Sequence, residues 1–280
     1  MSAAVAGSTA RTGRATTSAR WRTRTRKLLV PVGLLVVWVA VTSADLVASL
    51  YLPSPQDLWN AFDGMRGELP RSLASSVGMT LAGFAVGTSL GALLGLLMAY
   101  SRVMRELFGS VLDFIRPVPV FALIPLFVVW FGIGRGPQIT LIALGTSVVL
   151  GVTTLSAIRN VSPVHVKAAL TLGATRWDAY RTVIVPSVLP HLLGAIRVAA
   201  AASWGLDVAA EFLGAQTGLG YLMINRQQYL DTAGILLVVL IYSALAMILD
   251  LLIQLAERPL TRWTERNATG GPVAGLLGVD

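Results

Sequence analysis

Between Ser72 and Ser101 the chain runs 30 residues without a single charge. A helix of about 20 mostly apolar residues crosses a bilayer, so this run is long enough to span with tilt or a kinked end. Five further runs repeat the pattern. They are Leu28–Ala44, apolar again past Asp45 to Leu52; Pro117–Gly134; Gly136–Ile158; Thr182–Leu206, interrupted only by Arg197; and Thr232–Leu249, apolar beyond Asp250 to Leu255. The pattern predicts an all-α polytopic membrane protein with six transmembrane helices in one domain over residues 27–266. Composition agrees: 55% of residues are hydrophobic, only 13% are charged, and the mean hydropathy is +0.70. A soluble domain carries about a quarter charged residues. Residues 1–26 form a basic tail and residues 267–280 a Gly-rich one. Both are expected to be cytoplasmic and disordered.

Absences narrow the chemistry. The chain has no cysteine, two histidines (His165 and His191) and two lysines (Lys27 and Lys167), with no phosphate-binding loop around either lysine. Disulfide, thiolate-metal and haem sites are excluded, and no cofactor is expected. A membrane enzyme would need a compact catalytic set, which two distant histidines do not supply. Any nucleotide that drives this chain must be bound by another one.

The net charge of +8 reads as topology rather than as nucleic-acid binding, because the basic residues fall between apolar runs. One side holds Arg11, Arg14, Arg20, Arg22, Arg24, Arg26, Lys27, Arg102, Arg105, Arg116, Arg159, Lys167, Arg176, Arg181, Arg258, Arg262 and Arg266. The other holds only Arg66, Arg71, Arg135 and Arg226, so the ratio is seventeen to four. With an even number of spans, both termini are expected in the cytoplasm. Thr42-Ser43-Ala44 resembles a signal-peptide cleavage site. Cleavage there would leave five spans and place the basic C-terminal tail outside, against the bias.

The loop over 159–190 is the longest cytoplasmic connection. His165 to Leu172 is helical in propensity, Gly173 ends that helix as a C-cap glycine does, and Thr175 can cap a second helix that Pro186 and Pro190 terminate. A helix–glycine–helix projection can dock in a groove of a soluble partner, or it can simply be a solvated loop. Lys167-Ala168-Ala169, Gly173, Val183, Val185 and Pro186 fall at the spacing of the E-A-A-x3-G-x9-I-x-L-P signature, with lysine in place of the usual glutamate. In this the chain resembles the permease subunits of bacterial ABC importers. Leu52-Pro53-Ser54-Pro55, Arg116-Pro117-Val118-Pro119, Trp130-Phe131-Gly132-Ile133-Gly134 and Gly218-Leu219-Gly220-Tyr221 narrow the resemblance to permeases for taurine, aliphatic sulfonates and nitrate. The resemblance covers all but the two tails.

That resemblance implies a type I ABC importer permease fold in the bacterial inner membrane and a non-catalytic subunit. Its partners would be a second permease subunit (expected as a homodimer), two cytoplasmic ATP-binding subunits and an extracytoplasmic solute-binding protein. Lys167, Ala168, Ala169, Gly173, Ala174 and Pro186 would contact the ATPase. The expected cargo is taurine or another sulfonate; nitrate or another small solute is the alternative. An ion-coupled secondary transporter is a further rival, although it would need broken helices at matching positions in two repeats.

Other features stay open at this level. Pro117, Pro119 and Pro125 predict a broken start to the third span, either as a packing kink or along a cavity. Gly83, Gly87, Gly91 and Gly95 make a side-chain-free face, favouring packing within the subunit over contact between copies. Arg197, Trp204 and Glu211 are spaced by seven and, with Asp207, occupy nearly one face of the fifth span. Charges there are expensive and commonly line a transport path, which makes the four candidates for the translocation route. The alternative is a structural ion pair between Arg197 and a carboxylate such as Asp250.

Overall fold

The computed structural model describes residues 16–260, all of whose regular elements are helical. Helix α1 (Thr16–Ser43) begins inside the basic stretch expected to be unstructured, and most of its apolar side chains from Leu29 to Val39 are uncovered. A short amphipathic helix, α2 (Pro55–Met65), follows. Its capping box joins Ser54 and Asp57: the Asp57 amide donates to Ser54 Oγ at 3.2 Å and the Ser54 amide to Asp57 Oδ2 at 2.9 Å. The Ser54 amide and, at 2.8 Å, the Ser54 hydroxyl both donate to the Asp57 carboxylate and hold it below the ordinary carboxylate range.

Helices α3 (Leu69–Tyr100) and α6 (Arg135–Arg159) form the centre of the bundle, with α9 (Val185–Gly214) against both. Their approach is set by the glycine face. A Cβ on Gly83 would sit 2.7 Å from Ile142 Cβ, on Gly91 2.7 Å from Leu150 Cβ and on Gly95 2.5 Å from Thr154 Cγ2. At Gly87 it would collide with Thr146 Oγ1 and lie 2.5 Å from the Ala143 carbonyl oxygen. The four glycines therefore pack within the subunit, one on each turn of α3, and each receives a side chain from α6.

The third expected span, Pro117–Gly134, does begin broken, and the segment before it, expected as a cytoplasmic connection, is itself a helix. α4 (Arg102–Ile115) is followed by a 3₁₀ turn (Val120–Leu123) and α5 (Ile124–Phe131), and the two halves meet at 84°. Pro117, Pro119 and Pro125 remove three backbone donors here, and Gly132 (φ +76°) and Gly134 (φ +142°) then turn the chain into α6. Among the described residues, four helices are long and apolar enough to cross a membrane, or five if this bent pair counts as one. The apolar part of α1, Leu29–Ser43, is shorter. Four long apolar helices, one broken pair and a short apolar helix among the described residues leave the expected count of six spans unconfirmed.

After α6 come α7 (Pro163–Thr171) and α8 (Arg176–Ala179), then one π turn (Tyr180–Ile184) that runs directly into α9. The expectation that Pro186 and Pro190 end the loop helix is corrected. The Val185 amide donates to the Tyr180 carbonyl five residues back, and Pro186 enters in the first turn of α9, where its missing N–H costs nothing. Pro190 lies within α9. α10 (Leu219–Gln228) and α11 (Thr232–Leu260) complete the bundle, and α11 leaves Met247, Ile248, Leu251, Leu252 and Leu255 uncovered. Apolar side chains exposed along spans of this length fit a lipid solvent.

Gly87→Ala should destabilise the purified protein by about 1–3 kcal/mol, because its neighbours include backbone that cannot yield. Gly33→Ala, whose Cβ would meet nothing within 4 Å, should change stability by less than about 0.5 kcal/mol. Thermal unfolding followed by tryptophan fluorescence compares the two; equal melting temperatures would refute the packing role of the glycine face.

Candidate coupling loop and intramembrane polar site

The α7–α8 projection is built by local chemistry. Pro163 starts α7, and α7 ends in a Schellman arrangement: the Gly173 amide donates to the Leu170 carbonyl and the Ala174 amide to the Ala169 carbonyl, both at 3.1 Å. Gly173 has φ +87°, the left-handed region that glycine enters without penalty. Thr175 caps α8 as expected. Its partner is Asp178, which takes the Thr175 amide at 3.0 Å.

No residue of α7 is buried, and it carries apolar side chains in the open. Val164 is 68% exposed, Leu172 88% and Trp177, on α8, 55%. Lys167 and Ala168 share this uncovered surface, while Ala169 and Ala174 are half-buried. Behind it lies an aromatic clasp. Trp177 stacks on Tyr180 (5.4 Å between centroids), and Tyr100, at the end of α3, meets both edge-on at 5.8 and 5.3 Å. The Tyr180 hydroxyl donates to the Leu96 carbonyl of α3 at 3.1 Å. The loop is thereby tied to the helix that carries the glycine face. Sequence reasoning missed Tyr100 and Tyr180, since they meet 80 residues apart in the chain.

The four intramembrane polar residues do share α9, but they divide into two sites. Arg197 forms a bidentate pair with Asp250 of α11, Nε to Oδ1 at 2.8 Å and Nη2 to Oδ2 at 3.2 Å, and Gln254 Nε2 donates to the same carboxylate at 2.6 Å. This is the ion pair named as the alternative. The side chains of Arg197 and Asp250 are 39% and 41% exposed, so the pair borders open space.

Trp204, Asp207 and Glu211 lie in the C-terminal half of α9, all buried. Glu211 Oε1 accepts the Ser76 hydroxyl at 2.7 Å and Oε2 accepts the Gly220 amide at 2.6 Å, while Ser76 Oγ accepts the Leu219 amide at 2.8 Å. A glutamate of α9 and a serine of α3 therefore cap the first turn of α10, whose orphan amides need such acceptors. The glycines fit the same contact: a Cβ on Gly218 would strike the Glu211 carboxylate, and one on Gly220 would lie 2.9 Å from Glu211 Cβ. The Tyr242 hydroxyl of α11 reaches Asp207 Oδ2 at 3.1 Å and Glu211 Oε2 at 3.3 Å, and its ring meets Trp204 edge-on. The cluster locks α3, α9, α10 and α11 together. No ion pair among the described residues includes Asp207 or Glu211.

The comparisons with known proteins match this architecture to a transport family. Residues 87–262, more than half of the chain, match the family described as the binding-protein-dependent transport system inner membrane component. The chain belongs to that family. The permease is 35% identical over 251 residues to the putative aliphatic sulfonates transport permease protein SsuC of Escherichia coli, covering 89% of this chain and 95% of that protein. It is 30% identical over 256 residues to the taurine transport system permease protein TauC of the same organism, covering 87% and 93%. A solved chain of the MetNI methionine ABC transporter, in an inward-facing conformation, superposes with a TM-score of 0.57. That match is 22% identical over 72% of this permease and 99% of that chain, and it shows the shared fold. The permease is thus a multi-pass membrane protein and a transport subunit, working with an ATPase and a binding protein as the family does.

Glu211→Ala orphans the Ser76 hydroxyl and the Gly220 amide at once. At about 1–3 kcal/mol for each buried group left unpaired, the melting temperature of the purified permease should fall by several degrees. Glu211→Gln, which keeps one acceptor, should fall less. A Glu211→Ala protein as stable as the unaltered one would remove the capping role.

Proposed function

We propose that this chain is the membrane-spanning subunit of an ATP-driven importer for a small sulfonate, taurine or a near relative. The observation that carries the cargo class is the pair of relatives, at 35% and 30% identity over nearly their whole length, whose names specify aliphatic sulfonates and taurine. In this reading two copies of the chain associate with two ATP-hydrolysing subunits on the cytoplasmic side and one solute-binding protein outside, and both termini face the cytoplasm. The seventeen-to-four distribution of basic residues supports that orientation.

The coupling surface in this proposal is Lys167, Ala168, Ala169, Gly173 and Ala174, with Pro186 at the root of the loop. Its support is the uncovered apolar projection α7–α8 and the clasp that joins it to α3. ATP binding closes the ATPases, the projection moves with them, and Tyr180 and Tyr100 carry the movement into the α3–α6 block. The cargo passes by alternating access, which requires different contacts in the two end states. On α9, the half-exposed Arg197–Asp250 pair is the part of the polar stripe proposed to border the route. Trp204, Asp207 and Glu211 support it from behind by holding α10 and α11 in place.

Co-purification of the tagged chain should recover one ATPase and one binding protein, and the latter should bind taurine or alkanesulfonates in solution. Gly173→Val places a β-branched residue at φ +87°, a strain of about 1–2 kcal/mol that favours rearrangement of the projection. Uptake should fall at least about tenfold while the assembled ATPase still hydrolyses ATP. Gly173→Asn, which tolerates this backbone conformation, should retain most uptake. Full uptake by the valine variant would count against the coupling role.

A further inference from the structure

At the end of the bundle opposite the projection, four arginines stand on or near helix ends, and they divide sharply by partner. Arg66 pairs with Asp63 at 3.1 Å, and Arg226 with Glu68 at 3.3 Å and Asp231 at 3.8 Å. Arg71, in the first turn of α3, and Arg135, the first residue of α6, form none of the ion pairs among the described residues. They line one cavity of about 400 Å³ together with Ser75, Met79, Ile139 and Thr217, and no acidic residue contributes to its wall. The two hydroxyls lie side by side, Ser75 Oγ to Thr217 Oγ1 at 3.2 Å. A second cavity of about 250 Å³ shares Met79, Arg135 and Thr217 with the first and is also lined by Gln138. Gln138 is only 2% exposed, yet its Oε1 has no hydrogen-bond partner.

Two guanidinium groups that line one cavity with no carboxylate in its wall favour an anion in that space. Arginine presents a planar fork of donors that matches an oxyanion, and such charge-assisted hydrogen bonds are the strong ones. The N-terminus of α6, which carries no side-chain cap, opens at the same wall. Three separate elements, α3, α6 and the segment between α9 and α10, converge here, and beside them the buried Gln138 Oε1, an acceptor, is left for a donor such as the ammonium group of an aminosulfonate.

We infer that Arg71 and Arg135 form an oxyanion-binding site at the outer mouth of the permease that receives the sulfonate head of the cargo after the binding protein releases it. This inference rests on the proposed sulfonate cargo. The arginines take the sulfonate oxygens, Ser75 and Thr217 supply hydroxyl donors, and the adjoining cavity beside Gln138 accepts the remainder of the solute. The site sits where α3 and α6 begin, on the two helices whose other ends lie beside the projection. Phospholipid phosphate offers the same oxyanion chemistry from a different source.

The test uses the whole transporter, with its ATPase and binding protein, reconstituted in liposomes and supplied with radiolabelled taurine or an alkanesulfonate. Arg71→Gln and Arg135→Gln should each lower the maximal uptake rate about tenfold. The half-saturating concentration, set by the binding protein, should stay unchanged, as should basal ATP hydrolysis. Arg71→Lys and Arg135→Lys, which keep the charge but lose the fork, should fall in between. Arg66→Gln, a paired arginine at the same end, should leave uptake unaltered. Native mass spectrometry of the same proteins separates the lipid source: variants that shed a bound phospholipid yet transport at the full rate would overturn the assignment to cargo, as would full-rate transport without any such loss. If the unaltered transporter moves neither taurine nor an alkanesulfonate, the cargo reading fails instead. Methanesulfonate should then still raise the melting temperature of the unaltered complex in lipid-free detergent but not that of Arg71→Gln, and its failure to do so would overturn the oxyanion site as well.

Discussion

The rest of the molecule depends on the contact between α3 and α6. Four glycines on successive turns of α3 leave no side chain on one face, and Ile142, Thr146, Leu150 and Thr154 of α6 fill it at distances where a single methyl group would collide. In a bilayer, where lipid tails are as apolar as leucine, burial alone gives helices little reason to associate. Close van der Waals approach of backbones does. The pair is therefore a rigid strut, and the other elements are arranged around it.

A strut of this kind has functional ends. The C-terminal end of α3 accepts the Tyr180 hydroxyl at the Leu96 carbonyl and presents Tyr100 to the aromatic clasp, so the α7–α8 projection is in direct contact with it. The N-terminal end carries Arg71, Ser75 and Ser76. Two of these line the proposed oxyanion cavity, and the third helps Glu211 cap α10. In the proposed mechanism, movement of the projection would reach the opposite face through the α3–α6 contact. The Arg197–Asp250 pair stands apart from that route, joining α9 to α11.

Much of this was legible in the sequence, for identifiable reasons. A run such as Ser72–Ser101 admits few alternatives to a membrane helix. Gly-x-x-x-Gly spacing, Gly173 after a helical stretch and Thr175 before another are local signals whose geometry is fixed within a few residues. The ion pair of Arg197 was among the readings because a charge in a span needs a partner and Asp250 was available. Other features were not legible. Pro186 looked like a helix stop, yet a π turn shifts the hydrogen-bond register and lets the helix continue. Glu211 was a candidate for path lining, but its acceptance of hydrogen bonds from Ser76 and Gly220 could not be read, since that contact depends on how α3 and α10 meet. The aromatic clasp and the Arg71–Arg135 cavity bring together residues about 60–80 positions apart, beyond the reach of any spacing rule.

In the proposed function the permease moves a sulfonate only when an ATPase drives the projection. Uptake of radiolabelled taurine into liposomes carrying the reconstituted transporter, with ATP and the binding protein controlled independently, tests it most directly. Uptake should require ATP on the side of the projection and binding protein on the other, and should not respond to sodium or proton gradients. Accumulation driven by such a gradient in the absence of ATP would contradict it.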